Sequence, residues 1–524
     1  MKTNLFQIIL PLIACVLSAA PARGQSWTNL YRRPGSGVFH GTAVAVDRLG
    51  RVDVAGYSLD SNDGDGYVTI QFSPTGTPLW TNRAVNGPFE LGNLTAIAVD
   101  GNSRVYVTGS SRAHPLSTNV TIAYSGDGTP LWTNRVNLPG QSAQAAVIAA
   151  DDNGKVYVAF STSGSNVNAY ATIAYASNGT PLWTNLFCGS QAFSSVRATG
   201  IAVDHNDTIY VTGVSTISES SDYATVAYSS GGAALWTNHY AWAFLFGAEP
   251  HSAIAVDSDG NACITAPVTL QGYDSAYVTI KYSHGGVPIW TNIYSTGGGS
   301  TFFPEVATDR KGSVIVTGYD AAHREALGGG IYAVFTGYTT VKYLTDGAPL
   351  WTNRFQHVPT QSDYATAIAV DSGDTVYITG VSYTDNVNSG FATIAYSEDG
   401  APLWTNLYFA ANGNVGPPSI AVDLQGGVYV MGHGIGSDGY SDLVTLRYAP
   451  PLSIVAGGST FGVANGEFRF NVYGSAGSNA IIQASAELMR WTSICTNRLT
   501  NGIGCIRVST NVSPSQFYRA LLSP

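Results

Sequence analysis

The sequence predicts an all-β protein. Its main body reads as an eight-bladed β-propeller of four-stranded blades, closed by strands from the N- and C-terminal ends. A small C-terminal β-sandwich follows. Three observations lead there: a repeat, the strand-rich content of each repeat, and the order of segments at the two ends of the repeat array.

The repeat comes first. Trp-Thr-Asn recurs at Trp27, Trp80, Trp132, Trp183, Trp236, Trp290, Trp351 and Trp404, at intervals of 53, 52, 51, 53, 54, 61 and 53 residues. An apolar run ending in Asp recurs in step, at Asp47, Asp100, Asp151, Asp204, Asp257, Asp309, Asp371 and Asp423. Periods of about 50 residues with four strands each are those of propeller blades.

The second repeat shows the content. Ala96-Ile97-Ala98-Val99-Asp100 is a short strand of small and branched residues. Val105 to Gly109 and Val120 to Tyr124 are β-branched and aromatic runs, and Leu131-Trp132-Thr133-Asn134 opens a fourth strand. Such residues favour strands, and Gly/Asp/Asn clusters supply the turns between them. The whole chain agrees: 59 glycines and 30 tyrosines in 524 residues, but only three methionines. With 44% hydrophobic and 11% charged residues, intrinsic disorder is excluded.

The ends give the closure. The array begins with a Trp-Thr-Asn strand that has no first three strands before it. It finishes with three strands, Ile420–Asp423, Val428–Gly432 and Leu443–Tyr448, that lack a Trp strand. Joined, the fragments make an eighth blade and remove two exposed sheet edges. The first strand of each blade would lie nearest the axis, and the recurrent Trp would be buried between blades.

The N-terminus reads as a signal peptide over residues 1–22. Lys2 supplies the positive end, Leu5 to Leu17 the apolar run, and Ala20-Pro21-Ala22 the cleavage site. Leu12-Ile13-Ala14-Cys15 also fits a lipobox with Cys15 lipidated, but the apolar run continues past Cys15. The propeller would span 26–450 and the terminal module 451–524. No other segment suits a membrane span, and a net charge of −10 disfavours a nucleic-acid surface. The mature protein is expected outside the cell or on its surface. There Cys495 and Cys505, ten residues apart, would bridge neighbouring strands as a disulfide.

The unit Ile-Ala-Val-Asp-x-x-Gly/Asp-x-Val-Tyr-Val-Thr-Gly, then Thr-Ile-Ala-Tyr-Ser-x-x-Gly-x-Pro-Leu-Trp, resembles the bacterial SBBP-type β-propeller repeat over about 425 residues. The family's name implies seven blades, whereas the landmarks here count eight. The resemblance implies a secreted or surface protein and leaves the activity open. The unit's tail also resembles the tryptophan-docking repeat of eight-bladed quinoproteins. The C-terminal stretch Ala484-Ser485-Ala486-Glu487-Leu488, with Arg490-Trp491 and the closing Phe517-Tyr518-Arg519, resembles a terminal module of secreted bacterial proteins.

Candidate chemistry lies where repeats depart from one another. The sixth repeat carries an insert over 320–337 with His323, Arg324 and Glu325, a loop for a ligand or a plain surface insertion. The stretch after Trp236 carries His239, Trp242 and His251. Read as an exposed loop, it would suit sugar stacking or a protein contact, though burial against a neighbouring loop fits as well. The Asp of each unit could hold calcium, but hairpin-turn chemistry explains it with fewer assumptions. No other cofactor is expected. Gly-x-Ser-x-Gly, His-Glu-x-x-His and phosphate-loop motifs do not occur, and nothing marks a nucleophile. The reading is a binding scaffold for a protein or glycan. The alternatives are a quinoprotein-like dehydrogenase and a polysaccharide-degrading hydrolase or lyase.

Overall fold

A computed structural model describes residues 25–522, apart from segments 32–37, 60–65, 86–90, 112–116, 137–140, 165–167, 189–194, 218–219, 244–250, 271–274, 296–301, 329–330, 386, 411–412, 437–439, 449–452, 456–461, 465–466, 474–478, 486–489, 500–502 and 510–516. The signal-peptide assignment lies outside the described residues. These residues form strands and turns only, with no helix among them. The chain divides into two compact units, one of Trp27–Leu424 with Val428–Arg447, the other containing Tyr448–Pro524.

The first unit is the eight-bladed propeller. Seven blades are consecutive four-stranded antiparallel meanders. The second blade, Leu91–Val99, Val105–Ser111, Asn119–Tyr124 and Pro130–Val136, is representative. The eighth combines Ser419–Val422, Val428–Ile435 and Ser441–Tyr448 with Gln25–Tyr31 as its outer strand. The ring therefore closes through strands from both ends of the array.

Two hairpin turns in each of the seven continuous blades, and one in the split eighth, lie at one end of the ring, the closed end. In the first, the Asp side chain is the organiser. Oδ1 of Asp47, Asp100, Asp151, Asp204, Asp257, Asp309 and Asp371 accepts the main-chain N–H groups two and four residues on, at 2.8–2.9 Å. These carboxylates are turn-formers, as the plainer sequence reading holds.

The second turn joins the third and fourth strands and docks the preceding blade. Its glycine (Gly76, Gly128, Gly179, Gly232, Gly286, Gly347 or Gly400) has φ of 81–88°. A Cβ there would stand 2.6–2.8 Å from the indole of the preceding blade's Trp. Left-handed backbone and contact with the indole both demand glycine. The Asn of the same Trp-Thr-Asn donates to that glycine's carbonyl at 2.6–2.8 Å. The tryptophans are half-buried rather than buried, a correction to the expectation. A fully buried large side chain is worth about 1.5–3 kcal/mol, so each contributes less.

Inside each blade, Oδ2 of the turn Asp needs a donor of its own. Tyr106, Tyr210, Tyr377 and Tyr429 supply a hydroxyl to Asp100, Asp204, Asp371 and Asp423 at 2.8–3.2 Å. The fifth blade has Cys263 at the tyrosine position, and the residue opposite, alanine in those first three blades, is Lys281. Lys281 Nζ lies 2.8 Å from Asp257 Oδ2 and 2.7 Å from the Gly312 carbonyl of the next blade. Tyr210 makes the same two contacts, with Asp204 and with the Gly260 carbonyl at 2.9 Å. The sixth blade repeats the exchange with Ile315 and Lys342, whose Nζ is 2.9 Å from Asp309.

In the second unit, Glu467–Tyr473 pairs with Ser453–Val455, Gly462–Ala464 and Ile503–Ser509. Asn479–Ser485 pairs with Thr492–Arg498 and Phe517–Leu522. Phe470, Val472, Ala480, Ile482, Ala484, Leu499, Ile506 and Tyr518 form one apolar cluster from both sheets.

Two predictions follow from the blade contacts. Gly232→Ala should destabilise the protein by about 1–3 kcal/mol, from left-handed strain and the clash with Trp183. Its neighbour Gly231, with only Ser229 Oγ at 3.9 Å, should accept alanine with little change. Equal urea midpoints for the two variants would remove the docking argument. Lys281→Ala should cost toward the lower end of about 3–5 kcal/mol by leaving the buried Asp257 carboxylate without its cation, since Asn261 Nδ2 still donates to Oδ2 at 2.9 Å. Adding Cys263→Tyr should recover most of that loss. A double variant no more stable than Lys281→Ala in the same denaturation assay would show that the two donors are not equivalent.

Candidate functional site

The other end of the ring, the open end, carries the second-to-third connections and the crossings between blades. All six proposed ligand-binding residues belong to this end: His239 and Trp242 in the fourth blade, His251 at the entry to the fifth, and His323, Arg324 and Glu325 in the sixth. His239 and Trp242 are not on a loop: the fourth strand of the fourth blade runs on through Ala234–Ala243. The reading of this stretch as a loop is corrected because it stays paired to Ser220–Tyr228, with Ala224 opposite His239 and Ser221 opposite Trp242. His239 Nδ1 sits 2.6 Å from Asp222 Oδ2, and its ring lies 6.0 Å from that of Phe187. His251 is held by a different partner in another blade, with Nε2 3.2 Å from Glu305 Oε1.

The insert of the sixth blade is likewise no loop. Its second and third strands lengthen to Val314–Gly328 and Ile331–Tyr343. His323, Arg324 and Glu325 stand opposite Phe335, Val334 and Ala333 in this hairpin. At its base, Arg354 Nη2 reaches Asp320 Oδ2 at 3.3 Å and the Tyr294 hydroxyl at 3.2 Å. Burial raises the Asp320 carboxyl above the ordinary range.

Cys495 and Cys505 also need correction. They are free thiols on strands of different sheets, Cys495 opposite Ile482 and Cys505 opposite Asn471. Their strands are not paired neighbours, so the expected cross-strand bridge is not formed. Among the described residues no group of three or more His, Cys, Asp or Glu side chains is placed to hold a metal ion.

Sequence reasoning missed a histidine pair at the seam where the eighth blade meets the first. The His40 ring stacks on Tyr57 at 4.9 Å and meets His433 edge-on at 5.0 Å. Among the described residues His433 Nδ1 is buried without a hydrogen-bond partner, and the ring leaves no room for a side chain at Gly416. Burial, reinforced by His40, lowers His433 to about 4; burial also lowers His40. The signal was present in the repeat register. His40 faces Tyr57, the residue after the second-strand glycine Gly56, and His433 follows the equivalent Gly432.

Five of the inner strands beyond this rim are apolar, Ala43 to Val46, Ala96 to Val99, Val147 to Ala150, Ala253 to Val256 and Ile420 to Val422, whereas the sixth blade's carries Glu305 and Thr308. The open end thus offers imidazole–carboxylate pairs, able to exchange protons or to hydrogen-bond a ligand, beside inner strands that are mostly apolar.

No family model and no curated protein matches this chain. Among solved structures, a lectin from Burkholderia pseudomallei is similar at 10% identity and TM-score 0.42, over 72% of this chain and 99% of that one. An ulvan lyase, a polysaccharide lyase, is similar at 13% identity and TM-score 0.40, over 79% and 95%. A Dyadobacter fermentans protein of unknown function is similar at 11% identity and TM-score 0.32, over 59% and 99%. The blade count rests on the strand pairing and not on these likenesses.

The seam histidines generate a pH prediction. Their folded pKa values lie below the unfolded value near 6.5, so the unfolded chain binds more protons between the two. Stability should therefore fall as pH drops from about 6.5 toward 4, by about 2–3 kcal/mol from His433. Asp53, Asp320 and Asp363, raised by burial, titrate in the opposite sense. His433→Gln isolates the imidazole: the stability difference between wild type and variant should shift toward the variant on acidification. Parallel stability curves from pH 7 to 4.5 would refute it.

Proposed function

We propose that the protein is an exported bacterial β-propeller that works as a binding scaffold, with its ligand contacts at the open end of the ring. In this reading the repeats are of the SBBP type. The C-terminal unit is a small β-sandwich that anchors or sorts the protein, and the ligand is a glycan or a protein. One observation carries the proposal: the two ends of the propeller are built to different rules. At the closed end, both turns keep one design from blade to blade, and their polar groups are spent on the turns and on neighbouring blades. At the open end, lengths and residues vary, and six of the eight described histidines lie there: His40, His239, His251, His323, His357 and His433. The other two, His205 and His284, belong to closed-end turns.

A second reading, polysaccharide cleavage at the same end, is favoured by the His251–Glu305 contact, a donor and a carboxylate within proton-transfer reach. A thermal-shift screen of the mature chain against a polysaccharide panel tests both. A ligand at 100 times its dissociation constant should add about 2.7 kcal/mol. His251→Ala or Glu305→Ala should weaken that ligand by about tenfold or more, a loss of about 1.4 kcal/mol. Lys311→Ala, at the closed end, should not. Equal affinity in all three would place the contacts elsewhere, and release of shortened sugars by the wild type would favour the cleavage reading.

A further inference from the structure

The first strands touch one another in cyclic order, so they surround the axis of the ring. Their last four residues, 43–46, 96–99, 147–150, 200–203, 253–256, 305–308, 367–370 and 419–422, are Ala, Val, Ile and Gly with three exceptions: Glu305, Thr308 and Ser419. The two hydroxyls are engaged within the fold. Thr308 donates to the Val256 carbonyl at 3.0 Å and Ser419 to the Met431 carbonyl at 3.5 Å. Glu305 is therefore the one side chain on this wall that carries a charge.

The repeat shows how far Glu305 departs from its equivalents. It stands opposite Thr317 in the blade, and the residues at the same place in the other blades are Ala43, Ala96, Val147, Gly200, Ala253, Ala367 and Ser419. A carboxylate there serves neither the Asp turn nor the Trp–Gly docking. Its charge is not matched either. Glu398 and Glu467, the other glutamates whose side chains are described, hold Lys311 and Arg469. Glu305 meets the His251 imidazole, with Nε2 3.2 Å from Oε1, and no lysine or arginine among the described residues. Its side chain is 33% exposed.

A carboxylate beside apolar walls acts more strongly than one in open water, and a net charge of −10 draws a cationic partner toward it. The wall then selects the cation. A metal ion takes several ligands, more than one carboxylate and one imidazole supply. An amino sugar would turn its hydroxyls toward Ala, Val and Ile side chains that cannot hydrogen-bond them. A lysine side chain matches both features: its hydrocarbon stem suits the strands and its ammonium suits the carboxylate. The planar fork of arginine is best met by both carboxylate oxygens, and the imidazole already holds Oε1.

We infer that the ring wall at Glu305 is a socket for a lysine side chain, presented by a protein partner with a basic contact segment. Glu305 receives the ammonium and His251 positions the carboxylate. The inference rests on the binding-scaffold reading and chooses the protein over the glycan as the ligand.

The probe is the peptide acetyl-Gly-Lys-Gly-amide at millimolar concentration, followed by saturation-transfer NMR with the full mature chain. The wild type should saturate the lysine methylene protons, and added salt should weaken the effect. The same peptide with norleucine in place of lysine should not bind. Glu305→Gln should weaken lysine binding by about tenfold or more, with an unchanged thermal midpoint. Glu398→Gln removes the same charge at the closed end and should bind as the wild type does. Should the Glu305 variant fail to fold, competition decides: n-butylamine should displace the peptide from the wild type, and n-butanol should not. No binding by the wild type, equal binding of the norleucine peptide, displacement by butanol, or a folded Glu305→Gln variant that keeps the peptide overturns the inference. A polysaccharide weakened by His251→Ala, with the lysine peptide ignored, would overturn it and leave the binding-scaffold reading standing. Failure of both ligand classes would remove that reading as well.

Discussion

Everything in the propeller depends on one contact repeated around the ring, a tryptophan laid on the glycine turn of the next blade. The contact fixes both partners. The turn cannot carry a Cβ, and the indole cannot shrink without opening the gap between blades. The Asn two residues on reads the same glycine's carbonyl, so apolar packing and a main-chain hydrogen bond set one spacing together. The seam shows what happens where the contact cannot be made. The eighth blade's third and fourth strands come from opposite ends of the array, so no Ser-x-x-Gly turn joins them. Asn406, which would dock there, keeps a buried Nδ2 without a hydrogen-bond partner among the described residues. Closure thus exchanges two open sheet edges for one incomplete docking position.

Around this contact the repeats conserve functions more strictly than residues. Where the turn carboxylate has a second donor, it matters little whether a tyrosine hydroxyl, Lys281 or Lys342 provides it; in the third blade Asp151 Oδ2 has no hydrogen-bond partner among the described residues, with Lys155 Nζ 3.9 Å away. Volume is balanced in the same way. Tyr67, Tyr170, Tyr277 and Tyr338 lean over Gly109, Gly213, Gly318 and Gly380 of the following blade, where a Cβ would meet the ring at 2.6–2.9 Å. In the second blade the equivalent of that tyrosine is Asn119, and in the third the equivalent of the glycine is Phe160, fully buried. A large residue has moved across the interface without leaving a void, as close packing requires. The first blade solves the carboxylate problem differently: Arg51 supplies Asp47 and donates to the Gly126 carbonyl of the next blade.

This tolerance explains what could be read from the sequence. The blade number and the split eighth blade were legible because the landmarks that survive exchange, Trp and Asp, are the ones tied to a backbone conformation. What escaped depends on neighbours in space. That Ala234–Ala243 stays a strand follows from its pairing with Ser220–Tyr228, which its aromatic content does not announce. The 320–337 insert lacks a hairpin signal strong enough to outweigh its charges, yet its strands continue pairs already formed in the blade. The two cysteines of the C-terminal unit are close in sequence, but sheet membership, not sequence distance, sets what a thiol can reach. His40 and His433 are nearly four hundred residues apart and meet only because the ring closes.

The same logic separates the ends of the ring. A closed-end residue answers to its own turn and often to the next blade as well: Lys155 reaches Asp207, and Arg310 reaches Asp374. A substitution there disturbs two interfaces at once. Open-end residues lie past the Trp–Gly docking, where the strands have finished their obligatory pairing. A longer hairpin, an added histidine or a new carboxylate there leaves the spacing of the blades untouched. Variation can therefore accumulate at one end of the scaffold without cost to the other. A ring held by seven near-equivalent joints and one incomplete one can change what it recognises only at the end where the joints have already been made.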